Sequence, residues 1–130
     1  LNNLNLNSSF DRNLGYELKK NNLSNNSEFI FDEDLIVNKV QFPREIGEIN
    51  IYSDNYFPFD SSKIIDWSNR KRNKKEFLDC VQSTYNNCSI KSESPIYYLT
   101  KDKYFSLRSG VKLIRVNKEN YYIVNISKSN

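Results

Sequence analysis

Histidine, methionine and alanine are absent from this chain, and glycine and proline occur only three times each in 130 residues. Without histidine there is no Ser-His-Asp or Cys-His nucleophile, and general acid–base work would fall to a carboxylate, a lysine or a tyrosine. A carboxylate pair such as Glu45 and Glu48 has no supporting pattern around it. No catalytic residue is assigned, and the chain reads as non-enzymatic. A zinc site is excluded on similar grounds, because Cys80 and Cys88 alone leave a tetrahedral shell half empty. The acids Asp32, Glu33 and Asp34 lack the ligand offsets and the glycine of a calcium loop, and read as a hairpin turn. No metal or cofactor is implied. No apolar run approaches the roughly 20 residues of a membrane span.

Charge excludes little. A formal net charge of +3 is mild and does not point to a nucleic-acid partner. The basic run from Arg70 to Lys75 could hold phosphates or anionic lipid head groups. It has no glycine and no interleaved aromatic beyond Trp67, and Glu76 and Asp79 follow to balance it, so it reads as a solvated helix face or loop. The spacing of Cys80 and Cys88 is not that of a C-x-x-C redox motif. A disulfide closing so short a loop would stabilise by roughly 2 to 3 kcal/mol and would fit a periplasmic or extracellular setting. The alternative is a pair of buried thiols in a cytoplasmic protein.

Length supports one domain, with residues 1–9 as an Asn/Ser-rich flexible lead or linker and 10–130 as the globular part. The chain starts at Leu1, which suggests an excised or processed piece whose signal peptide or anchor preceded it. Ser9 is placed to cap a helix in which Phe10, Leu14 and Leu18 share one face. Glu28 to Phe31 and Leu35 to Phe42 read as a first hairpin, and Glu45 to Ser53 as a further strand. An aromatic loop over Asn55 to Asp60 precedes one broken or two short helices between Ser62 and Thr84, with Asp60 or Ser61 as the cap and the break at Arg70 to Lys75.

The last third is the most regular. Ile96 to Thr100, then Tyr104 to Arg108 resumed after a bulge or bend at Gly110 by Val111 to Val116, and Tyr121 to Ile126 read as three antiparallel strands, the last two joined by a four-residue loop over Asn117 to Asn120. The expected fold is α+β and mainly β: about six antiparallel strands in a barrel-like or curled sheet, with an N-terminal helix and the central helices on one side. Both faces of the C-terminal sheet are partly apolar, so each should be covered. The doublets Tyr97-Tyr98 and Tyr121-Tyr122 put a ring on either face. With Tyr104, Phe105 and Arg108 they form the candidate ligand site, where rings would stack on an amphipath and Arg108 would meet an acidic head. An edge left at Glu28 to Phe42 or at Tyr121 to Ile126 would take a strand from a partner.

A helix, a strand-rich body and one short-range cysteine pair, here Cys80 and Cys88, together resemble the periplasmic part of the accessory proteins of ToxR-like membrane regulators, the ToxS, TcpH, VtrC and PsaF kinds. The resemblance covers the general plan of most of the chain. It implies a barrel-like sheet paired with the regulator's periplasmic domain, anchoring to the inner membrane through a missing N-terminal segment, and for some members the sensing of amphipaths such as bile salts or fatty acids. The tyrosines and phenylalanines of the C-terminal strands would then be the ligand site. The same plan is similar to the soluble domain of a minor pilin, which would make the chain a surface-assembly subunit and its setting extracellular. An effector or immunity protein is a third class.

Overall fold

The computed structural model describes every residue except 1, 24–25, 54–57, 85–87, 108–109 and 129–130. The chain begins with α1 (Asn2–Lys20), followed by β1 (Glu28–Phe31), α2 (Glu33–Asn38) and α3 (Ile64–Thr84). The strands β2 (Ile90–Lys91), β3 (Ile96–Thr100), β4 (Lys112–Val116), β5 (Glu119–Asn125) and β6 (Ser127–Lys128) complete it. A four-stranded sheet of order β1-β3-β5-β4 lies between helices, and β2 and β6 form a small parallel pair. The fold is α+β with a mixed sheet.

Alternation builds a core on each face of this sheet. Phe29, Phe31, Leu99, Ile114, Val116, Tyr121 and Ile123 point to one side, where Phe10, Leu14 and Leu18 of α1 meet them. Ile30, Ile96, Tyr98, Val124 and Ile126 point to the other and pack on Phe77 and Val81 of α3. The expected stripe of Phe10, Leu14 and Leu18 is therefore the buried face of α1. That helix starts at Asn2, so Ser9 lies inside it and not at a cap. It ends where Asn22 turns left-handed at φ 57° and the N–H of Leu23 bonds back to the carbonyl of Leu18 at 2.9 Å, with Leu23 buried.

Several expected strands take other forms. The sheet does not close into a barrel, since β1 and β4 stand at opposite edges. Nor is it all antiparallel: β1 runs parallel to β3, because the long connection through α2 and α3 returns the chain in the same direction. Leu35 belongs to α2 and not to a hairpin return, because Asp32 accepts the N–H of Asp34 at 3.0 Å and so caps a helix whose first turn is acidic. Glu45 to Ser53 supplies only an isolated bridge from Ile51 to Phe29, after Glu48 turns left-handed at φ 54°.

Between Ser62 and Thr84 there is one continuous helix with no break at the basic run. Asp60 accepts the N–H of Ser62 and starts a short 3-10 turn, Ser61–Lys63, that leads into it. The run stays helical because Arg70 bonds Asp66 at 2.9 Å, Lys75 bonds Asp79 at 3.0 Å, and Lys71 sits over the Trp67 ring. Arg70 also reaches Glu28 on β1 at 2.6 Å and the Tyr52 carbonyl at 3.2 Å, so this basic residue ties α3 to the sheet and is not simply solvated. The cysteines are bonded as expected. The Cys80–Cys88 disulfide joins the last turns of α3 to the approach of β2, with the two Cα atoms 5.8 Å apart.

Lys103–Leu107 is a 3-10 helix and not a strand, because Asp102 accepts the N–H of Tyr104 at 3.0 Å and curls the chain before alternation can be used. The hairpin between β4 and β5 is tighter than a four-residue loop. Glu119 already pairs with Val116, and Asn117 and Lys118 form a two-residue turn with φ of 50° and 70°.

Candidate functional site

Two surface features stand out, an unpaired strand edge and an apolar cavity. The edge belongs to β4. Its inner side pairs with β5, and among the described residues nothing pairs with its outer side. The two-residue turn makes Val116 with Glu119, Ile114 with Tyr121, and Lys112 with Ile123 the pairs that exchange both backbone bonds. Leu113 and Arg115 consequently aim their N–H and C=O groups outward. The Leu113 side chain is 58% exposed beside half-buried Tyr122, and Lys112, Arg115 and Lys118 are exposed around it. The other sheet edge, β1, is bridged at Phe29 by the N–H of Tyr52 and the carbonyl of Asn50. Of the two edges expected from the sequence, β1 is thus partly covered and β5 is interior.

The cavity, of about 570 Å³, lies beside β1 and is lined by Phe31, Ile36, Val40, Phe42, Pro43 and Ile51, with polar lining from Gln41, Arg44, Glu45, Ser53 and Lys74. Its volume falls within the range of small-molecule sites. One wall is the segment after α2, which Asp11 of α1 holds from behind. The buried Asp11 carboxylate accepts the N–H of Phe42 at 2.7 Å and that of Gln41 at 3.1 Å. Burial pushes its pKa up, and the charge of Glu45 adds to this; the two amide bonds oppose it.

The residues expected to form a ligand site are not gathered on one surface. Tyr98 and Phe105 are buried with ring centroids 5.4 Å apart, and Phe77 of α3 meets the same tyrosine at 5.1 Å. Burial, reinforced by the Asp32 carboxylate, raises the Tyr98 phenol well above its usual range. Tyr121 is buried in the opposite core, edge-on to Phe10 at 5.8 Å. Its hydroxyl donates to Glu119 at 2.9 Å, and burial, followed by this bond, raises its pKa as well. Lys101 closes the cluster at 3.2 Å from Glu119. Tyr97 is half-buried against Phe29, Tyr122 is half-buried on the other face, and Tyr104 is 65% exposed. Arg108 lies outside the described residues.

Neither Leu113 nor the cavity walls were singled out by sequence reasoning. A signal for Leu113 existed, since in Lys112 to Val116 it is the apolar residue that shares a face with Arg115 while Ile114 and Val116 share the other. The cavity residues fall between Phe31 and Ser53, with Lys74 added from α3, and carry no periodic pattern that marks them as a wall. Comparison with known proteins finds no match among family models, curated proteins or solved structures.

Proposed function

We propose that this chain is a non-enzymatic, extracytoplasmic partner-binding domain of a membrane-anchored regulatory protein, working in the periplasm as an accessory of a ToxR-like regulator. The observation that carries the reading is the open edge of β4, with outward backbone groups at Leu113 and Arg115 and an exposed apolar side chain between two cations. Such an edge suits strand addition, in which main-chain bonds supply affinity. The Cys80–Cys88 disulfide supports an oxidising compartment. No described helix is long and apolar enough to cross a membrane, so anchoring would rest on a segment outside this sequence.

The signal proposed for the domain is a small amphipath such as a bile salt or fatty acid. Because Tyr98, Phe105 and Tyr121 are packed in the cores, the cavity beside Phe31 is the better supported place for it. A second reading, a minor pilin or other surface-assembly subunit, draws on the packing of the long N-terminal helix against the sheet. The test is co-expression with the extracytoplasmic domain of a candidate regulator, read by light scattering and thermal unfolding. A heterodimer with a raised melting midpoint is expected. A strictly monomeric domain whose melting the regulator leaves unchanged would count against it.

A further inference from the structure

We propose that the strand received by β4 is acidic and apolar in alternation on one face, with an apolar side chain beside Leu113 and a carboxylate beside Arg115. This rests on the reading that β4 takes a strand at all. From Gly110 to Lys118 the chain carries Lys112, Arg115 and Lys118 and no acid. All three are exposed. The nearest acid along the chain, Glu119, is held by Lys101 and by the Tyr121 hydroxyl, so it does not neutralise the outer edge.

Geometry then sets the pattern. Leu113 is opposite Tyr122 and Arg115 is opposite Asn120, so both side chains stand on the sheet face that bears Val124 and Ile126. An incoming strand puts its residues in register with these two, and its own side chains alternate between faces. The residue beside Leu113 gains by covering that side chain and the half-buried ring of Tyr122. Two positions along, a carboxylate meets the Arg115 guanidinium, and a cation there meets repulsion. Self-association is disfavoured by the same charges, because a second copy would lay one cationic edge on another.

The experiment uses two capped peptides, Thr-Val-Thr-Glu-Thr-Val-Thr and its counterpart with lysine for glutamate, titrated into the 130-residue chain by calorimetry. The glutamate peptide is expected to bind about fivefold more tightly at low salt, with the difference shrinking as salt rises. Arg115→Glu should reverse the preference. Leu113→Pro removes an outward N–H that the β4–β5 ladder does not use and should abolish binding of both peptides. Equal binding of the two peptides, lost in Leu113→Pro, would overturn the acidic preference and leave strand addition standing. Failure of both peptides to bind, or binding that survives Leu113→Pro, would overturn strand addition along with it. A concentration-dependent dimer abolished by Leu113→Pro would assign the edge to a second copy and overturn the proposal.

Discussion

Gly15 on α1 and Gly47 in the segment after α2 pack backbone against backbone, so that a β-carbon on Gly15 would drive into the carbonyl oxygen of Gly47. On helix propensity alone Gly15→Ala should stabilise by about 1 kcal/mol. Here the obstacle is main chain, which cannot swing aside as a side chain would. The expected outcome is a net loss of about 1–3 kcal/mol, read as a lower urea midpoint with an unchanged slope. A variant more stable than the parent would show that the two segments do not touch in solution.

Asp11 makes a further contact between the same segments, and its effect depends on pH. Its native pKa is raised by burial, whereas in the unfolded chain it is near 4. Below the unfolded value both states are protonated and the group's contribution is fully present. As pH rises through the raised native pKa the folded state holds more protons than the unfolded one, so stability falls. Asp11→Asn keeps an acceptor oxygen and removes the titration. Denaturation of both proteins across about pH 4 to 7 should give a gap that changes in the variant's favour as pH rises. Parallel profiles would mean that Asp11 titrates normally.

How much of this was legible can be judged residue by residue. The α1 stripe, β3 and β5 were readable because periodicity is local, and Phe10, Leu14, Leu18, Tyr98 and Val124 face where their spacing puts them. Tyr104 to Leu107 misled because alternation over a few residues does not outweigh an Asp102 side chain that turns the chain at once. Leu35 misled for a related reason: an acidic triplet caps a helix as readily as it makes a turn. The parallel pairing of β1 with β3 and the covering of both sheet faces by helices depend on contacts distant in sequence, which no window contains. Each tyrosine doublet was expected to turn one ring to the core and the other outward; Tyr98 and Tyr121 are the buried members, under α3 and α1 respectively, while Tyr97 and Tyr122 are half-buried.

Reduction offers a third test. The Cys80–Cys88 bond fixes the end of α3 to the approach of β2, while Phe77 and Val81 hold the helix to the sheet independently. Loss of the bond should therefore lower stability by about 2–3 kcal/mol without unfolding the domain. Intact mass should rise by about 2 Da on reduction as the bond takes up two hydrogens, and circular dichroism should keep its native shape at room temperature. Protein prepared from an oxidising compartment that shows no mass change would remove both the bond and the main support for an extracytoplasmic setting.

The last prediction concerns the amphipath. Ile36 is 43% exposed and Phe42 37% exposed at the cavity, so each has surface that a ligand could cover, whereas Tyr104 stands elsewhere on the 3-10 helix. Covering about 60 Å² of apolar surface is worth about 1.5 kcal/mol at the usual coefficient, which is roughly tenfold in affinity. Calorimetry with a bile salt and with a fatty acid should accordingly show binding to the parent chain, about tenfold weaker binding to Ile36→Glu, and unchanged binding to Tyr104→Ala. Both variants alter exposed side chains, so the fold should persist, and circular dichroism checks that it does. The reverse result, loss in Tyr104→Ala alone, would move the ligand to the surface around the 3-10 helix Lys103–Leu107. If no ligand binds the parent chain, alone or with its regulator, the cavity has no sensing role and only the strand-receiving edge remains to carry function.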